Sequence, residues 1–386
     1  MLKRRVIKLV LVALAIFFLG GIGGFVFDKY FAPYLSSCKL FSGNEFFQKN
    51  GKNTTIIRET ERVVVKDDNS INEIASSAAQ SVVDIVAIAE KTNSSSVATL
   101  QVTGKKGTGT ILTNDGVVVT HIESVIDEDA SYSVTVFDGS TFEAELVAVD
   151  DFSELAFLKI DGANLPAVPF ANSDDVIIGK KAIALGSSLE ENQVSITEGI
   201  LSDYDNRFNL AGVVASSEKL EGVFRSNFKE NDNYVGAPII DYNGELVAIT
   251  SVIKVDNERK YFHIPANKVK KIMSSIFSEE SSERAKLGVY YVSIDRFYAK
   301  INNLSVDKGA LVYSPSGSQG LAVIANSAAS KAGIKVGDII TSFNQEEINL
   351  RNSLSSYVNK YKAGDNVDIE IIRDGEKLTL PIFFNS

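Results

Sequence analysis

The feature that most constrains this fold is a succession of short β-branched and apolar runs, broken by turn signals, that continues to about Phe262. They read GTILTNDGVVVT, YSVTVFDGSTFEAELVAVD, ELAFLKI, KKAIALGSS, VSITEGILS, GVVASS and APIIDYNGELVAITSVI. Asn114-Asp115-Gly116, Asp138-Gly139 and Asn243-Gly244 mark tight hairpins among them, because these residues tolerate positive φ. Many short strands at such spacing predict a β-barrel or sandwich.

The flanks differ. Ahead of the runs, SINEIASSAAQ carries a serine cap and an acidic first turn, so it predicts a helix that passes into the first strand. Behind them, FHIPANKVKKIMSSIF predicts a closing helix, and SEESSERA a charged hinge. The last hundred residues mix orders: LGVYYVSI as a strand, GLAVIANSAASKAGIKVGDIITSFN as strand, short helix and strand, then a helix and a final hairpin. That mixture predicts an α+β module.

The N-terminus has a basic start, Lys3, Arg4, Arg5 and Lys8, followed by an uncharged apolar run from Leu9 to Phe27. Nineteen helical residues span roughly 28 Å, about one hydrocarbon core. The charge bias holds the N-terminus in the cytoplasm and sends the rest across. With no small-x-small cleavage site after the run, the segment reads as a retained single-pass anchor, the bulk of the chain being extracytoplasmic. A cleaved signal is the alternative. The polar stretch to Asn69 reads as a stalk.

Composition excludes several function classes. A net charge of −10 supplies no positive field for phosphates, so no nucleic acid partner is expected. The one cysteine, Cys38, rules out an internal disulfide and a cysteine-based zinc site. His121 and His263 are thin material for any other metal centre, and no metal or other cofactor is expected.

The order of these segments resembles the HtrA/Deg family of trypsin-like serine proteases with a C-terminal PDZ domain, from about Ile71 to Phe384. GTGTILTNDGVVVT is similar to the family's Gly-Ser-Gly strand and hairpin, and FDGSTFEAELVAVDDFSELAFLKI to the stretch leading through the catalytic acid. LPAVPFANSDDVIIGKKAIALGSS and VSITEGILS are similar to the segments before the nucleophile; LGVYYV and SAASKAGIKVGDIITSFN resemble a PDZ carboxylate loop and its following helix and strand. The resemblance implies a chymotrypsin-like double β-barrel followed by an α+β PDZ domain, mainly β, with an N-terminal transmembrane helix. The expected divisions are anchor 1–31, stalk 32–69, protease-fold domain 70–277, hinge 278–285 and PDZ domain 286–386.

The family's chemistry needs a serine nucleophile, a histidine base, an orienting acid and backbone N–H groups for the oxyanion. Matched by position, the base falls on Glu123, three residues after Thr120, and the acid on Glu154, just before Leu155-Ala156. The nucleophile turn becomes Asn233-Tyr234-Val235-Gly236-Ala237-Pro238, with Val235 in place of serine and Asn233 in place of the first glycine. Valine offers neither a lone pair nor a removable proton. Asn233 visits positive φ less freely than glycine, which puts the oxyanion turn in doubt. His121 stands two residues early, about 6.6 Å along a strand, and reads as structural. Ser187, Ser188, Ser216 and Ser217 lie in no nucleophile turn. Glu123 and Glu154 as a proton-sharing pair is one reading, and solvated or paired replacements in a dead cleft is the other. His263 reads as a satisfied barrel-edge residue.

Binding parts survive better. Leu287, Gly288 and Val289 match the PDZ loop whose backbone N–H groups receive a terminal carboxylate, and Val289, Tyr290 and the helix LRNSLSSYVNKY would shape the side-chain pocket. A module that serves only to pack against the barrel is the bland alternative. The expectation is a membrane-anchored pseudoprotease of the bacterial envelope, with no catalytic residue of its own. It would bind unfolded proteins or protein C-termini in protein quality control, as a homo-trimer or a hetero-oligomer with an active relative. An active serine-type endopeptidase with a rearranged site and a structural subunit of a membrane complex are the alternatives.

Overall fold

The computed structural model describes residues 69–92, 100–126, 130–188, 193–212, 214–278, 283–314 and 321–384, with a few positions between 16 and 30. The expected anchor and stalk lie almost wholly outside the described residues. Among the described residues, no helix is long and apolar enough to cross a membrane.

Helix α1, Asn69–Ala79, leads into the first barrel. It starts at Asn69, two residues earlier than a Ser70 cap predicts, which leaves no acidic residue in its first turn. Strands β1 (Val82–Thr92), β2 (Leu100–Ile111), β3 (Val117–His121), β4 (Ala130–Thr135), β5 (Thr141–Asp150) and β6 (Leu155–Ile160) close in the order β1-β2-β3-β6-β5-β4. The predicted hairpins turn where their sequences require: Gly116, Gly139 and Gly244 all hold positive φ. At Gly116, with φ 101°, a β-carbon would lie 2.3 Å from the Ile160 carbonyl oxygen, so both backbone conformation and space demand glycine.

The second barrel takes β7 (Lys181–Ser188), β8 (Gln193–Asn209), β10 (Glu221–Ser226), β11 (Pro238–Ile240), β12 (Leu246–Val255) and β13 (Glu258–Pro265), closed as β10-β13-β12-β11-β7-β8. Helix α2, Ala266–Ile276, closes it as predicted and buries Ala266, Val269 and Ile272. One apolar cluster runs across both barrels, from Val119, Leu155 and Phe157 to Ile183, Ile249, Phe262 and Ile264. This shared core fixes the seam that carries the candidate site.

Strand β9, Ala215–Ser216, lies between β8 and β10 in sequence but leaves the barrel. It becomes the edge of the C-terminal sheet, beside β14 (Tyr290–Ser293). That sheet continues through β15 (Ala310–Val312), β16 (Ile339–Phe343), β18 (Asn366–Arg373) and β19 (Glu376–Phe383), with β17 (Glu346–Glu347) against β16. Helices α3 (Arg296–Ile301), α4 (Ala328–Ala332) and α5 (Leu354–Val358) complete the α+β module. The strand expected near Val323 is reduced to a single bridge to Val289.

Of the expected hinge, residues 279–282 lie outside the described residues. Ala285 already donates its N–H to the Tyr361 carbonyl, so the module begins inside it. Residues Lys66–Ser386 form one compact unit. Arg284 pairs with Asp150 at 2.6 Å and lies 4.7 Å over the Phe152 ring. Glu221, buried on β10, accepts from Tyr291 and, at 2.8 Å, from Ser293. Burial raises its carboxyl pKa, against these hydroxyl donors.

Candidate functional site

Strand β3 is buried along its whole length and ends at His121, beside Leu155 of β6. His121 Nδ1 accepts from the Glu123 N–H at 3.2 Å, capping a 3-10 turn over Ile122–Ser124. Its Nε2 is buried and has no hydrogen-bond partner among the described residues. Burial pulls the ring pKa down to about 4, with the Glu123 charge working the other way.

The 3-10 turn swings Glu123 outward, where its side chain is half exposed. Arg259 of β13 grips the carboxylate with two bonds, at 2.6 and 3.2 Å. The same guanidinium stands 2.9 Å from Asp232, which also accepts from the Tyr261 hydroxyl at 2.5 Å. The Glu123 hydrogen bonds, first among the causes, raise the Arg259 pKa above its ordinary value.

Glu154 sits just before β6 with φ 60°, in the left-handed region that non-glycine residues seldom enter. Its carbonyl accepts from Ile122, and its carboxylate pairs with Lys219, which also donates to the Asp151 carbonyl at 2.6 Å. The two glutamates therefore face different cations. The proton-sharing pair is not formed, and the reading of paired replacements is the one the geometry matches.

Val235 follows a 3-10 turn over Asp232–Tyr234 and is 6% exposed. The amides at the oxyanion-turn and nucleophile positions are both used internally: Asn233 donates to the Asn231 side chain at 3.0 Å, and Val235 to the Asp232 carbonyl at 3.0 Å. Asn233 does not take positive φ; the 3-10 turn over Asp232–Tyr234 holds it in the helical region. Gly236 does, at φ 86°; a β-carbon there would lie 2.1 Å from the Thr108 carbonyl oxygen. Thr108 and Thr110 of β2 donate to the Asn233 and Gly236 carbonyls, so the first barrel braces the turn.

Beside the turn is a cavity of about 80 Å³ lined by Arg225, Ser226, Phe228, Tyr234, Thr250 and His263, among others. His263 Nε2 lies 2.7 Å from Ser226 Oγ, but its Nδ1 is buried without a partner among the described residues. The expectation of a satisfied ring is thus met on one nitrogen. Burial lowers its pKa to about 3. Three of the four alternative serines are engaged elsewhere: Ser187 is bonded to Asp84, while Ser216 and Ser217 belong to the contact with the C-terminal module; the side chain of Ser188 lies outside the described residues.

The loop Leu287-Gly288-Val289 assembles three convergent amides, and Gly288 has φ 81°. A β-carbon on it would lie 2.3 Å from Ser327 Cβ. The donors are already engaged by the chain itself. Glu218 Oε1 accepts from Leu287 at 2.9 Å and from Gly288 at 2.8 Å, and Ser217 Oγ accepts from Val289 at 3.0 Å. Ser217 returns its own N–H to the Val289 carbonyl, Ser216 stands opposite Tyr290, and Ala215 opposite Tyr291. Ala215 joins the module's apolar core with Leu287, Tyr291, Leu354 and Tyr357. Sequence reasoning found the loop and missed its occupant; a carboxylate directly after two hydroxyls, in ASSE, was the signal available.

Comparison with known families and structures agrees with this architecture. The family described as "Trypsin-like peptidase domain" matches residues 104–249, and "PDZ domain" matches residues 285–382. Periplasmic serine endoprotease DegP of Escherichia coli K12 is 30% identical over 279 residues, covering 71% of this chain and 56% of that protein. A probable periplasmic serine endoprotease DegP-like protein of Chlamydia trachomatis is 29% identical over 282 residues, covering 72% of this chain and 53% of the relative. The chain thus spans about half the length of these curated relatives. Among solved structures, the HtrA-type protease AlgW with decapeptide superposes with a TM-score of 0.62 at 22% identity, covering 81% of this chain and 98% of that one. That similarity concerns the fold.

Proposed function

This chain belongs to the HtrA family, joining a trypsin-like peptidase fold to a PDZ domain, and from that premise we propose that it is a pseudoprotease that binds peptide segments without cutting them. The observation that carries this reading is Val235 with its turn: the nucleophile position holds a buried isopropyl group, and the amides of Asn233 and Val235 are spent on internal acceptors. Acyl transfer needs a lone pair at that position and free donors aimed at the developing oxyanion. Glu123, held by Arg259, and Glu154, held by Lys219, serve as neither base nor orienting acid.

In this proposal Leu287, Gly288, Val289 and Tyr290 receive an unfolded segment or protein C-terminus by strand addition, the amides of Leu287, Gly288 and Val289 holding the terminal carboxylate once Glu218 and Ser217 release them. The basic start and nineteen-residue apolar run support a single-pass anchor with the bulk outside the cytoplasm, and the relatives' periplasmic names agree with that side. A homo-trimer or a hetero-oligomer with an active relative belongs to the same proposal.

The test is casein cleavage by the full chain, with Val235→Ala and a fluorophosphonate probe alongside. No cleavage and no labelling are expected. A second reading, an active serine endopeptidase with a rearranged site, draws on the relatives being named endoproteases; fluorophosphonate labelling together with casein hydrolysis would establish it in place of the first.

A further inference from the structure

We infer that residues 215–218 are a built-in ligand of the PDZ domain, and that Glu218 closes its peptide groove by presenting a side-chain carboxylate where a chain terminus would sit. The inference rests on the peptide-binding reading for what the groove is for, and on the contacts of residues 215–218 for what fills it.

Both components of terminal-peptide recognition are present within the chain. The strand component is β9 laid antiparallel on β14, extended by the Ser217 N–H to the Val289 carbonyl at 3.0 Å. The carboxylate component is Glu218 Oε1 on the amides of Leu287 and Gly288, with Ser217 Oγ on the third amide, Val289. A free terminus supplies its carboxylate from the main chain. Here the chain must continue to Lys219 and β10, so a side chain folds back to do so, steadied by Ser217 Oγ at 2.7 Å and Ser216 Oγ at 3.2 Å.

The segment is pre-shaped for this. Asn209, 1% exposed, donates to the carbonyls of Ser216 and Lys219 and accepts from the amides of Ala211 and Ser216, pinning both ends of the loop. Beyond it, Lys219 is tied to Glu154 and Leu220 donates to the Phe152 carbonyl at 2.7 Å. A tethered ligand of this kind acts at high effective concentration, so an incoming C-terminus must displace it before it binds.

The experiment uses the full chain, wild type and Glu218→Gln, with Glu218→Ala as a second variant should the first fold poorly. Hydrogen exchange reads the amides of Leu287, Gly288 and Val289. A fluorescein-labelled peptide copying residues 211–217, with a free C-terminal carboxylate, reads the groove, and Gly288→Glu serves as the binding-dead control. Loss of the charge-assisted acceptor should speed exchange of these amides about tenfold or more and tighten the peptide by a similar factor. Equal exchange rates in wild type and variant, or equal and measurable peptide affinities, would overturn the inference while leaving peptide binding intact. Faster exchange in the variant with no peptide bound by either protein would support the self-ligand and remove the peptide-binding reading instead.

Discussion

Arg259 holds Glu123 from the opposite barrel, with Nη2 2.6 Å and Nη1 3.2 Å from the two carboxylate oxygens. Glu123 is thus an anchor for a cross-barrel ion pair, and Asp232, in the 3-10 turn before Val235, takes the other side of the same guanidinium at 2.9 Å.

Removing that bridge should cost little. Both partners are about a third exposed or more, so solvent screens the pair, and Arg259→Ala is expected to lower stability by less than about 1 kcal/mol. Urea unfolding at low and high salt checks this: the difference between wild type and variant should shrink as salt rises. Casein hydrolysis should stay absent.

Restoring the missing hydroxyl should not restore cleavage. Val235→Ser places a polar group in a site 6% exposed, with no base beside it and the neighbouring amides spent, so a loss of about 1 kcal/mol and no casein hydrolysis are expected. Measurable turnover by the single variant would show that Glu123 or His121 is a usable base.

Acid should destabilise the protein through its buried histidines. His121 is held neutral down to about pH 4, whereas the unfolded chain takes up its proton near 6.5. Between those values the unfolded state binds more protons, so stability falls as pH falls, by roughly 3 kcal/mol at most from this group. Glu221 works oppositely: with its folded pKa raised, its penalty grows as pH rises above the unfolded carboxyl value and is relieved in acid. The Tm of His121→Gln should therefore fall less steeply than that of wild type between pH 6.5 and 4.

Truncating Glu221 removes a buried acceptor shared by two hydroxyls. Glu221→Ala leaves the hydroxyls of Tyr291 and Ser293 without their buried acceptor and should cost about 3 kcal/mol, while Glu221→Gln keeps an acceptor and should cost about 1 kcal/mol. Thermal unfolding monitored in the near-UV distinguishes the two.

Gly236 is fixed by both conformation and space. Gly236→Ala demands positive φ of alanine and drives its β-carbon to 2.1 Å from the Thr108 carbonyl oxygen, so a loss of about 3 kcal/mol is expected from chemical denaturation.

Much of the scaffold is legible in the chain's local chemistry. The Asn-Asp-Gly, Asp-Gly and Asn-Gly turns specify three hairpins because backbone conformation at those positions depends on the turn residues themselves. The proposed loss of the nucleophile rests on equally local chemistry, since Val235 lacks the atoms that acyl transfer needs. The excursion of β9 is not legible: AS followed by SE carries no period, and its partner Tyr290 stands 74 positions away from Ser216 in the chain. Pairing at that separation is decided by which edge the folded module leaves open.

The sequence by itself determined a succession of short hairpin strands followed by an α+β module, and which side chains stand at positions 123, 154 and 235, because strand patterning, turn residues and side-chain chemistry are properties of short stretches; the two-barrel and PDZ organisation followed from the family resemblance that those stretches carry. Only the tertiary structure decided what those residues touch: Arg259 on Glu123, Lys219 on Glu154, and Glu218 on the amides of Leu287 and Gly288. Ion pairs and groove occupancy depend on long-range placement of charged ends, which neither spacing nor periodicity encodes.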